Sequence, residues 1–162
     1  MGNNSYHLKS LLPAVGAGLL AGLAGTAAMS IFQKITEKIT GNKPDESTVA
    51  IAKKILNYYP SKDKELGFAN AVTYSYGSAN GIIRSLLSFA GTKNFNATAI
   101  HFGIISAMVI TVEPMLGVAP TLLKRNPEKF ALTLFHHALY AVVTGLVFDT
   151  IIKKLNSNNL NE

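Results

Sequence analysis

Residues 10–33 read Ser10-Leu-Leu-Pro-Ala-Val-Gly-Ala-Gly18-Leu-Leu-Ala-Gly22-Leu-Ala-Gly25-Thr26-Ala-Ala-Met29-Ser-Ile-Phe-Gln33, and no charged side chain interrupts them. A helix of about 20 apolar residues crosses the hydrocarbon core of a bilayer, so this run predicts a membrane span. Lys9 precedes it and Gly25, Ala27 and Ala28 follow its apolar centre, as in a secretory signal. Signal cores are shorter and poorer in glycine, however, which favours a retained span. Ala14, Gly18, Gly22, Gly25, Thr26 and Met29 fall along one helical stripe. Gly18-x-x-x-Gly22 is the small-residue spacing that lets two helices approach closely in a membrane. A phosphate-binding loop is excluded, because no strand precedes these glycines and no Lys-Ser or Lys-Thr follows them.

Three more long apolar runs follow, from Leu66 to Thr92, from Phe95 to Leu123 and from Phe130 to Ile152. Together they predict spans at about 11–33, 67–91, 97–119 and 130–152. The fold class is then all-α, a four-span transmembrane helical bundle forming one integral membrane domain over residues 1–162. Composition agrees. Of 162 residues, 48% are hydrophobic and only 15% charged, against about one quarter charged in a soluble domain. The absence of cysteine removes disulfides and thiolate chemistry. The net charge of +6 does not point to nucleic acid, because the basic residues cluster between apolar runs rather than interleaving with aromatics on one face.

The connection between the first two spans holds an element of its own. Pro44 sits where a helix can begin, with Asp45 and Glu46 favourable at its positive end. Val49, Ala52, Ile55, Leu56 and Tyr59 then recur at helical spacing until Pro60. This predicts an amphipathic helix over about 44–58, either lying on the membrane surface or capping the end of the bundle. The side of the membrane holding the 34–65 and 124–129 segments carries ten Lys and Arg, and the other side four. The positive-inside rule then places both termini outside the cytoplasm.

The second run carries the costly residues. Asn70, Thr73, Tyr74, Gly77, Asn80, Gly81, Arg84 and Ser88 share one helical face, whereas Val72, Tyr76, Ile82, Ile83, Leu86 and Phe89 lie on the others. A polar stripe facing lipid is expensive, so it must face the bundle interior or water. Antiparallel spans put Arg84, His101 and Asp149 at one depth and Glu113 with His136 and His137 at the other. Two candidate clusters result, Arg84/His101/Asp149 and Glu113/His137, separated by roughly 15 Å along the helix axes. His137 is expected to point inward, on the side of Ala141, Thr144 and Gly145. Pro114 is expected to bend the third span near Glu113. A buried carboxylate beside a histidine suits proton transfer, but a pair that merely fixes helix register has the same sequence. With only four histidines, and His101 and His137 at opposite depths, no metal or haem site and no cofactor is expected, and the serines lack the context of a catalytic triad.

The residues also resemble a family. Gly18-Leu-Leu-Ala-Gly-Leu-Ala-Gly-Thr26-Ala-Ala-Met29 is similar to the first span of small bacterial inner-membrane proteins of the YagU type. So is the later order of Tyr74-x-Tyr-Gly77, His101, Glu113-Pro114-Met-Leu-Gly117-Val-Ala-Pro120, Glu128 and a His-x-x-Tyr at His137 and Tyr140. The chain departs from that pattern by lacking Trp, which relatives often carry near the last histidine. The resemblance implies a multi-span protein of the bacterial inner membrane without an assigned enzymatic activity. Its matching positions to test are His101, Glu113, Pro114, Gly117, Pro120 and His137. The expected role is a non-enzymatic membrane protein with a buried ionisable seam, acting in envelope physiology or pH response. The alternative is a small proton-coupled transporter or channel, with the bilayer and a second copy of the chain as partners.

Overall fold

The computed structural model describes residues 3–43 and 46–158, with side chains from residue 11 onward. Among these residues there are five α-helices: α1 (Asn3–Thr40), α2 (Ser47–Leu56), α3 (Glu65–Phe89), α4 (Asn94–Met115) and α5 (Pro127–Asn158). A 3-10 turn, Leu122–Lys124, lies between the last two. Three helices are long and apolar enough to cross a membrane: α1 from Leu11 onward, α4 and α5. At 1.5 Å per residue the 22 residues of α4 span about 33 Å, close to the bilayer's apolar thickness.

The fourth expected span differs. The 25 residues of α3 are long enough, but Asn70, Thr73, Ser75, Ser78, Asn80 and Arg84 dilute its apolar character. Other boundaries shift too. α1 runs on to Thr40 rather than ending near 33, and α5 extends to Asn158. Polar residues at both extensions continue helices beyond any apolar thickness. The helix expected over 44–58 is shorter, Ser47–Leu56, and Pro44 and Asp45 lie outside the described residues. Pro114, where a bend is expected, lies at the C-terminal end of α4. It falls in the last turn, where Gly117 takes a left-handed conformation (φ +67°). The Val118 N–H then donates to the Glu113 carbonyl at 3.1 Å and the Gly117 N–H to Pro114 at 3.0 Å. A left-handed glycine with this bond pair terminates a helix. Gly91 (φ +82°) ends α3 in the same way.

α1 lies along both α3 and α5, and α4 packs against α5 and α3. The α1–α3 contact is a meeting of glycines. A Cβ at Gly18 would lie 2.6 Å from the Gly81 carbonyl oxygen, one at Gly81 would lie 2.9 Å from Gly22 Cα, and one at Gly22 would lie 3.0 Å from Ser78 Cα. Gly77-x-x-x-Gly81 on α3 therefore answers Gly18-x-x-x-Gly22 on α1. Gly25 turns instead to α5, where a Cβ would meet Tyr140 at 2.9 Å. Such backbone proximity maximises dispersion contacts where no hydrophobic effect separates helix from lipid. The core is correspondingly small-chained, with Ala17 and Ala21 packed on Phe148.

Candidate functional site: a polar chamber and the seam beneath it

The polar face of α3 divides in two. Gly77, Asn80, Gly81, Arg84 and Ser85 are buried, and Ser88 is half-buried. Asn70, Thr73 and Tyr74, earlier in the helix, instead line a cavity of about 560 Å³ at one end of the molecule. This chamber is roofed by Glu46, Ser47, Thr48 and Val49 at the start of α2 and floored by Glu113, His136 and His137. Cavities of this size accommodate small polar molecules.

At the chamber floor, Glu113 forms an ion pair that sequence reasoning missed. Arg125, from the loop between α4 and α5, donates from Nη2 to Glu113 Oε2 at 3.0 Å and to the Val109 carbonyl at 2.8 Å. Its Nε donates to the Pro120 carbonyl at 3.0 Å. Both side chains are nearly fully buried, and the guanidinium lies over the Phe130 ring, 5.4 Å from its centroid. In the sequence Arg125 is one more loop cation. The signal that could have found it is the need of Glu113 for a counter-charge, with Arg125 the nearest arginine along the chain.

The two histidines exchange their expected roles. His136 is buried and His137 half-buried, because the buried arc of α5 runs through Tyr140, Thr144 and Phe148, and His136 sits one turn before Tyr140. The Thr36 hydroxyl faces the carbonyls of Phe32 and Gln33, so its oxygen accepts from His136 Nε2 at 3.1 Å. His137 Nδ1 donates to the Thr133 carbonyl at 2.8 Å. Both rings border the chamber alongside Glu113.

Below the chamber the seam closes. The Tyr140 hydroxyl donates to the Gly77 carbonyl at 2.6 Å, and His101 Nε2 donates to the Asn80 carbonyl at 3.1 Å. The His101 ring meets Tyr140 edge-on at 5.7 Å. Asn80 Nδ2 donates to the Tyr76 carbonyl, and the Ser85 hydroxyl to the Ala14 carbonyl at 2.7 Å. One turn further, Arg84 Nη2 donates to Asp149 Oδ1, and its guanidinium lies over Phe148 at 4.9 Å. Of the expected cluster Arg84/His101/Asp149, the ion pair joins Arg84 to Asp149. His101 is bonded a turn earlier on α3, because a short imidazole on α4 reaches the backbone of α3 at Asn80 but not the Arg84 head group on the α5 side. Arg84 Nε and Nη1 and His101 Nδ1 are buried without hydrogen-bond partners among the described residues.

Among the described residues no group of three or more His, Asp or Glu side chains is placed to hold a metal ion. The chain matches no family model, no curated protein and no solved structure.

Proposed function

We propose that the chain is a non-enzymatic integral protein of the bacterial inner membrane, similar to the YagU type, whose working site is the polar chamber. In this reading α3 is a fourth span. The second half of its polar face packs on α1, α4 and α5 and the first half lines the chamber, so its lipid-facing side is left apolar enough for the bilayer. The basic segments 34–65 and 124–129 lie on the cytoplasmic side, and both termini lie outside it. The chamber then opens to the cytoplasm.

One observation carries the reading. Glu113, His136 and His137 border a cavity at one end of the molecule, whereas the seam beyond it is shut by backbone-to-backbone packing of Gly18 and Gly22 against Gly77 and Gly81. A site open on one side suits binding or pH response, in envelope physiology, better than conduction by a single copy. A second reading is favoured by an ionisable carboxylate and two imidazoles that border one cavity, groups suited to a proton relay. It is a small proton-coupled transporter that needs a second copy to complete its path.

Proton flux in proteoliposomes separates the two. The wild type and Glu113→Gln are compared across pH values of about 5 to 8, where histidine changes charge. The proposed reading expects no flux in either protein and a lower unfolding temperature for Glu113→Gln. Flux in the wild type that Glu113→Gln abolishes, with its helical circular dichroism intact, would overturn it in favour of the transporter.

A further inference from the structure

The end of α2 beyond Lys53 does not belong to the chamber. Ser47 and Val49 are buried at its start, but Leu56 is 62% exposed and Tyr59, just past its end, 71% exposed. Ile55 and Tyr58 are exposed beside them. Lys54 Nζ donates to the Leu116 carbonyl at 2.6 Å, which fastens this end to the C-terminus of α4. There Met115 and Leu123 are 84% and 98% exposed, and Leu122 is also exposed. The start of α2 faces the same loop across a cavity that Ser47 lines together with Val118, Ala119 and Pro120. Two segments thus present bulky apolar side chains at one end of the molecule, continuous with the exposed Val112 on the apolar face of α4. The surrounding segments 34–65 and 124–129 carry ten basic residues against six acidic ones (Glu37, Asp45, Glu46, Asp63, Glu65 and Glu128). Apolar anchors within a cationic surround fit an anionic lipid leaflet.

We propose that α2 is a membrane-anchored lid. Its first half roofs the chamber, and its second half, with Leu122 and Leu123, enters an anionic leaflet, so lipid charge sets how firmly the chamber is covered. Ser47, Thr48 and Val49 of the first half, with Lys53 at the start of the last turn, line the chamber wall. The Lys53–Glu65 ion pair at 2.7 Å, on the exposed rim, is the polar latch of the lid to α3. The proposal rests on the reading of α1, α4 and α5 as membrane spans.

The chain contains neither Trp nor Cys, so single reporters are unambiguous. Leu56→Trp, and separately Tyr59→Trp, are placed in nanodiscs of phosphatidylcholine with or without phosphatidylglycerol. Blue-shifted emission quenched by lipids brominated near the headgroup, and quenched more in the anionic discs, is the expected result. Asp63→Trp, on the same end, stays at the emission of water. Water-like, unquenched emission from both Leu56→Trp and Tyr59→Trp, while Ile104→Trp at the middle of α4 is quenched by lipids brominated near the chain ends, overturns the anchor alone. Ile104→Trp left unquenched by those chain-end bromines overturns the membrane reading and the anchor with it. The lid is tested with Thr73→Cys on the chamber wall. Its maleimide labelling is expected to slow about fivefold in anionic discs, the weight of one lysine at such a surface. Equal rates in the two discs overturn the lid.

Discussion

Arg84 and Asp149 form an ion pair with unequal members. The Arg84 side chain is 1% exposed and that of Asp149 39%. A charge left buried without its partner is the costly outcome, whereas an exposed one is hydrated. Asp149→Asn therefore strands the guanidinium and should cost about 3 kcal/mol. Arg84→Met keeps an apolar stem against Phe148 and leaves Asp149 near the end of the apolar part of α5, one turn before Lys153, within reach of headgroup water, and should cost less than half as much. Unfolding of both variants in detergent measures the difference, and an equal loss would refute the asymmetry. The pair at the other end is symmetric in burial, so Arg125→Met and Glu113→Leu should each cost more than the two together. Depth alone brings Arg84 and Asp149 to one level in the sequence, because helical rise is regular. Rotation is less legible. Adjacent positions such as His136 and His137 differ by about 100° on a helix of 3.6 residues per turn, and the hydrophobic pattern of α5 is too even to tell which of the two faces inward.

Helix pairing makes the glycines unequal in the same way. Gly81 faces backbone, with Gly18 and Gly22 atoms 2.9 Å from where a Cβ would stand. Neither backbone can yield without parting α1 from α3, so Gly81→Ala should destabilise by about 1–3 kcal/mol. A Cβ at Gly103 would meet nothing within 4 Å. Gly103→Ala should then stabilise α4 by up to about 1 kcal/mol through backbone entropy alone. Thermal unfolding of both variants checks the opposite signs. At the edge of α3, the hydrogen bond and charge of Lys53 hold the Glu65 carboxyl below its ordinary value of 4.5. A depressed acid binds fewer protons folded than unfolded. The latch is therefore complete above about pH 4.5 and is lost as pH falls through the folded value. Proteolysis between α2 and α3 should rise on acidification through that range in the wild type. The rise should be absent in Glu65→Gln, which has no carboxylate to lose.

At the scale of the whole molecule, charge-free runs and glycine spacing reveal the helices and part of their packing, because both are local properties of the chain. The Arg125–Glu113 pair is not legible. It depends on a loop turning back over the end of α4, and sequence spacing says nothing about that return. The chamber is hidden for a similar reason, since it exists only where α2 is laid across the open ends of the long helices. The polar face of α3 reads as one continuous stripe, yet it is half chamber wall and half packed seam. Water should therefore follow it only part of the way. In this cysteine-free chain, Thr73→Cys should react quickly with a membrane-impermeant maleimide added to the chamber side. Asn80→Cys, two turns along the same face but buried, should react on the order of tenfold more slowly, at the pace of local opening. Reagent on the other side should label neither. Comparable rates at both positions would mean that water reaches past the Gly77–Tyr140 hydrogen bond. The seam would then be a path rather than a plug, and the transporter reading would take precedence over the one-sided chamber.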